Sequence, residues 1–155
     1  MTRTCTATRF AIAAAVLMAA SAAISAYWAA GGTGLLDTVG GSIARWGREG
    51  GVDVRLALAL IVVLKLVAAW LPLAAVRPCR PTIRRLAWLE AVILTVYGGV
   101  LTGAGLAVQA GLVNPGRDAD WKALDWHAYL WDPWFLVAGV LVLAALRARR
   151  DTPPR

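Results

Sequence analysis

Lys65 and Glu90 are ionisable residues set inside long apolar runs. Charge in the hydrocarbon core of a bilayer is costly, and residues that carry it recur in ion pathways, proton relays and ligand contacts. Counted from Val54 at 1.5 Å per residue, Lys65 lies roughly 16 Å deep, near mid-bilayer. Glu90 lies about 6–8 Å from the start of its own run. An ion pair between them is the first chemistry to consider, and direction argues against it. Side chains lean toward the N-terminus of their own helix. The two runs would cross in opposite senses, so the two side chains point apart. The plain readings are snorkelling, or an uncharged amine in an apolar site, for Lys65. For Glu90 the plain reading is pairing with Arg84, Arg85 or another arginine at that end.

His127 is the single histidine, with Asp125 and Asp132 nearby. One imidazole and two carboxylates can bind a metal weakly or pass a proton. Without a second strong ligand, an interfacial polar residue is the favoured reading. Cys5 and Cys79 form no CxxC pair, so neither a zinc site nor a disulfide framework is expected. No nucleophile–base set, phosphate-binding loop, dinucleotide fingerprint or haem-attachment motif occurs. No catalytic residue, cofactor or metal is therefore assigned.

Gly99 and Gly103 stand four apart, beside Gly98, Thr102 and Gly105. Small residues let helix backbones approach closely in lipid. This stripe is expected to pack helices, within a bundle or between copies of the chain. Thr95, Thr102 and Gln109 read as interhelical hydrogen-bond partners.

The elements that would position these residues follow from composition. The chain has 155 residues, is 59% hydrophobic and has mean hydropathy +0.63. A chain this short cannot bury that much apolar surface in one water-soluble core. An integral membrane protein is the class that remains. Spans are predicted at about 10–30, 54–76, 86–110 and 133–150. Asp132-Pro133 reads as an N-cap followed by proline at the first helical position, with a separate short helix before it. Arg3 and Arg9 ahead of the first run, with Ala26 before a cleavage point, also fit a secretory signal. The run continues past the usual signal length, which favours retention.

Net charge is +7, which raises nucleic acid as a partner. The basic residues sit between apolar runs rather than along one face, so that partner is set aside. With the N-terminus inside, the inner segments hold ten basic residues and one acid, and the outer loops five basic residues and seven acids. That asymmetry places both termini in the cytoplasm, with the cytoplasmic membrane as the location. The eight tryptophans agree: Trp28, Trp46, Trp121, Trp126, Trp131 and Trp134 fall at the outer ends, and Trp70 and Trp88 at the inner ends. Leu36, Val39, Ile43 and Trp46 recur at helical spacing, predicting a short outer surface helix that Gly40 and Gly41 weaken. After Asn114-Pro115-Gly116, Asp118 or Asp120 is expected to cap a second one running to about Leu130.

Two elements carry a resemblance. Tyr27-Trp28-Ala29-Ala30-Gly31-Gly32 resembles the YWALGG-like element of a family of small bacterial membrane proteins. Trp131-Asp132-Pro133-Trp134-Phe135-Leu136-Val137-Ala138-Gly139 resembles its WDPWFLLWG-like element, with Ala138 in place of a large residue. That family is catalogued as domain of unknown function 3995. The resemblance implies four spans and carries no activity. It directs attention to Tyr27, Trp28, Trp131, Asp132 and Trp134, which are expected to pack as an outer lid. Asp132 is expected to cap the last helix and to accept a hydrogen bond from a Trp or Tyr.

The expected fold is all-α: a four-helix transmembrane bundle with short interfacial helices in the two outer loops. Three function classes follow. The first is a structural or accessory membrane protein, with homo-oligomerisation through the third span. The second is a small transporter or channel subunit using Lys65. The third is a membrane enzyme acting on a lipid or quinone.

Overall fold

The computed structural model describes residues 2–150. Asp151 and Arg155 lie outside the described residues, as do the side chains of Arg3, Ile43 and Arg150. The described chain is all-helical: α1 (Thr2–Ala29), α2 (Leu36–Val39), α3 (Gly41–Glu49), α4 (Val52–Ala75), α5 (Pro81–Gln109), α6 (Trp121–Trp126), a π-helical turn (His127–Trp131) and α7 (Asp132–Arg150). Four helical stretches are long and apolar enough to cross a membrane, the last running from Trp121 to Arg149. The protein is a multi-pass membrane protein built as an all-α four-helix bundle.

The packing follows from side-chain size. Ala7, Ala11, Ala14, Met18, Ala22 and Ser25 repeat every three or four residues along α1, and all are buried. Such a narrow face lets α1 lie along both α4 and α7. On its other side α7 packs along α5, while α4 and α5 meet only narrowly. The helices thus form a ring, in the order α4, α1, α7, α5, that is weakest between α4 and α5. The large side chains of those two helices, Leu60, Val63, Val96 and Val100 among them, point away from the bundle. In water that surface would aggregate; in hydrocarbon it costs nothing.

Glycines set the closest approach, and not the pair expected. A Cβ on Gly98 would lie 2.3 Å from the Leu136 backbone nitrogen. One on Gly139 would lie 2.6 Å from that of Thr95, and one on Gly105 2.9 Å from the Ala128 Cβ. Gly99 makes only ordinary contact with Leu136, and Gly103 has no atom within 4 Å of its Cβ position. Gly98 and Gly105 therefore form the packing edge within the bundle. The Gly99–Gly103 stripe lies one position round the helix, where small size is not what α7 requires.

The bundle has an arginine-rich end and a tryptophan-rich end. At the first, Arg149 Nε donates to the Val76 carbonyl (3.0 Å). At the second, the loop after α1 folds back over the bundle. The single expected surface helix there is two helices, because Gly40 takes φ +67° and breaks the run. Asp120 caps α6 as expected, accepting from the Ala123 N–H at 3.1 Å. The last span departs further from expectation. Asp132 has helical φ and ψ, and its N–H bonds to the His127 carbonyl, five residues back. Asp132-Pro133 is thus interior to one continuous helix rather than the start of a new one. Proline has no N–H, and its ring collides with the carbonyl four residues earlier in a regular α-helix. A π turn shifts that carbonyl and lets the helix run on.

Candidate functional site

The π turn has a second consequence. Residues five apart lie on different sides of an α-helix, but an i→i+5 turn brings them nearly into line. His127 and Asp132 are such a pair. His127 Nδ1 lies 3.2 Å from Asp132 Oδ1 and 3.3 Å from Oδ2. The other ring nitrogen, Nε2, lies 3.2 Å from the Val39 carbonyl oxygen. A carbonyl only accepts, so Nε2 carries a proton. Nδ1 faces the Asp132 carboxyl group. His127 therefore does what neither expectation assigned to it: it ties the last span to the loop above. Asp125 does not join it, because it accepts from Gln109 Nε2 (2.6 Å). Among the described residues no group of three potential metal ligands occurs.

α2 is held down along its length. Asp37 pairs with Lys122, which holds its carboxyl below the usual carboxylate range, chiefly through that hydrogen bond. Thr38, buried, accepts from Trp131 Nε1 (3.2 Å) and donates to the Leu35 carbonyl (2.6 Å). Val39 accepts from His127. Trp28 stands edge-on to Trp131, with centroids 6.1 Å apart, and its own Nε1 donates to the Gly34 carbonyl (2.7 Å). The expected lid is thus formed in part. Trp28 and Trp131 belong to it, joined by Trp126, whose ring lies 6.5 Å from that of Trp131. Tyr27 does not; its ring covers Gly32 and its hydroxyl accepts from the Gly34 N–H (3.3 Å). Trp134 does not either. Its Nε1 donates to the Leu17 carbonyl (3.0 Å), midway along α1. Asp132 pairs with His127 rather than with a Trp or Tyr, and it lies inside a continuous helix rather than at its start.

Beneath this roof lies a cavity of about 250 Å³. Ser21, Ser25 and Trp28 line it from α1, Lys65 from α4, Tyr97 from α5, and Asp132 and Phe135 from α7. Lys65 Nζ donates to Ser25 Oγ (2.8 Å) and more weakly to the Ser21 carbonyl (3.4 Å), and sits 5.6 Å from the Phe135 ring centroid. The side chain reaches toward the tryptophan-rich end, as its lean on α4 requires. Its partner Ser25 belongs to a small-residue stripe whose spacing alone reads as helix packing. The site brings together Lys65, Trp28, Trp131, Asp132 and His127. It leaves Glu90 apart. Both Glu90 carboxyl oxygens are buried without a hydrogen-bond partner, so the expected pairing with Arg84 or Arg85 does not form. Gln109 finds its interhelical partner, while the Thr95 and Thr102 hydroxyls are buried with none among the described residues.

The model of a protein family of unknown function, DUF3995, matches residues 17–142. The chain belongs to the DUF3995 family. The match takes in every cavity residue of this DUF3995 chain, from Ser21 to Phe135. No curated protein and no solved structure matches it.

Proposed function

We propose that the protein binds the head group of a small amphiphile in the cavity beneath α2. The observation that carries this reading is the Lys65 ammonium. Two of its three N–H groups are directed to Ser25 and Ser21, which leaves one for a ligand inside an aromatic-walled space. A cavity of about 250 Å³ suits a head group or ring rather than a whole lipid. Ile61 and Tyr97 line it from α4 and α5, and both are also exposed on the bundle surface. That is where the ring of helices is weakest, and a tail can leave into lipid there. The matching ligand presents an oxygen acceptor: a lipid carbonyl or phosphate, or a quinone carbonyl. Binding of this kind serves an accessory protein or an enzyme equally well. The charge asymmetry supports a cytoplasmic membrane with both termini inside, so that the cavity faces the outer leaflet.

The test is extraction of small molecules from protein purified out of native membranes, followed by mass spectrometry. A specific amphiphile retained by the native protein and lost from Lys65→Met supports the reading. Equal retention by both contradicts it.

A transport role is the second reading, because Glu90 adds a buried, unpartnered carboxyl at the other end of the bundle. Solute or proton flux in reconstituted vesicles separates the two. Flux that Lys65→Met or Glu90→Gln abolishes favours transport; flux unchanged by both counts against it.

A further inference from the structure

A second site lies at the arginine-rich end. A groove of about 730 Å³ opens between the last turn of α4 and the first of α5. Trp70, Leu73 and Ile83 form its apolar wall, and Arg77 and Arg80 stand on its rim. A shallower groove of about 390 Å³ runs along the bundle surface between α1 and α4. Ile12, Val16, Ala19 and Leu66 line it, together with Trp70 and Leu73. Trp70 and Leu73 thus line both, and the two grooves adjoin at these side chains. The combined surface is cationic at one end and hydrocarbon along the rest. From Leu73 to Leu66 the trough extends roughly 10 Å at the helical rise.

No carboxylate among the described residues pairs with the two arginines. Both are exposed, and neither makes an ion pair among the described residues. Pro78 and Pro81 stiffen the short connection that carries them. Paired guanidinium groups match the geometry of a phosphate, and basic pockets between spanning helices bind anionic head groups. A tryptophan at the same level has its ring at the boundary between hydrocarbon and head groups.

We propose that this composite groove holds one anionic phospholipid, with its phosphodiester on Arg77 and Arg80 and an acyl chain along Trp70, Leu73 and Leu66. The site shares no lining residue with the Lys65 cavity, so it stands or falls independently of what that cavity binds.

The experiment titrates the full-length protein in mild detergent with phosphatidylglycerol or phosphatidylcholine and counts retained lipid by native mass spectrometry. Phosphatidylglycerol is expected to be held more tightly. Arg77→Gln with Arg80→Gln is expected to weaken it roughly 30-fold, while Arg84→Gln with Arg85→Gln leaves it largely unchanged. Equal retention of the two lipids, or retention by the Arg77/Arg80 variant, overturns the proposal. Displacement by inorganic phosphate at matched concentration also overturns it, since the site would then hold a free anion. A second measurement needs no charge variant. Phosphatidylglycerol brominated on its acyl chain should quench the native protein's fluorescence more than brominated phosphatidylcholine does. Trp70→Phe should remove that difference. Equal quenching by the two lipids contradicts the site even if the arginine variant fails to fold.

Discussion

His127 and Asp132 lie five residues apart in one helix, with Nδ1 and Oδ1 3.2 Å apart, because a π turn ahead of Pro133 brings them into line. The same imidazole reaches the Val39 carbonyl. One side chain thus joins the last span to the loop that roofs the cavity. The carboxyl of Asp132 is nearly fully buried, with 6% of its side chain exposed. Removing its partner leaves a polar group stranded there.

His127→Ala is therefore expected to destabilise the protein by about 1.5–3 kcal/mol. Asp132→Ala should cost a similar amount, and the double variant less than the sum of the two. Reversible unfolding in detergent, read as a double-mutant cycle, measures the coupling. Strict additivity would show that the pair does not act as a unit.

The two glycine registers give opposite expectations. Gly98→Ala forces a methyl group against the Leu136 backbone and should cost about 1–3 kcal/mol or more. Gly103→Ala meets nothing and should stay within about 0.5 kcal/mol, or gain slightly from helix propensity. Thermal unfolding of the two variants side by side reads the difference. If both cost the same, the α5–α7 contact has been assigned to the wrong register.

Thr38→Val removes the acceptor of the Trp131 indole N–H without changing side-chain shape much. A buried donor left without a partner costs about 1–3 kcal/mol. The effect should concentrate in α2, seen as faster amide exchange over Leu36–Val39 than in the spans. Uniform loosening of the whole bundle would argue that α2 is not separately held.

Asp37 gives a pH dependence with a definite sign. Lys122 holds its carboxyl below the ordinary carboxylate range, chiefly through a hydrogen bond and also through its charge. A lowered folded-state pKa stabilises the folded form above the unfolded value and loses that contribution as pH falls through the folded one. Docking of α2 is thus expected to weaken only in acid below that value, with no change at neutral pH. Because both side chains are about half exposed, the effect is small. Amide exchange of α2 followed against pH should show it, and Asp37→Asn should remove the acid dependence. An unchanged acid response in Asp37→Asn would assign it to another group.

The spans were legible because about 20 apolar residues in a row have few other meanings. The lean of Lys65 was legible as well, since it follows from helix geometry alone. Its partner was not. Ser25 sits on a small-residue stripe, and only the α1–α4 contact shows that its hydroxyl faces α4. Asp132-Pro133 misled for a local reason. A capping rule sees a proline and its neighbour, but not the π turn that lets a helix pass through both. Gly98 and Gly99 differ by one position, and periodicity does not say which of two adjacent stripes meets a neighbour. The grouping of Lys65, His127 and Asp132 joins residues more than sixty positions apart, so it awaited the tertiary fold.

The most direct test of the Lys65 cavity is a structure determined from native lipid without detergent exchange. Non-protein density is expected under α2, with an oxygen within hydrogen-bond distance of Lys65 Nζ and the Ser25 contact kept. A cavity closed by its own side chains, with Lys65 fully satisfied by protein groups and no ligand density, would contradict it.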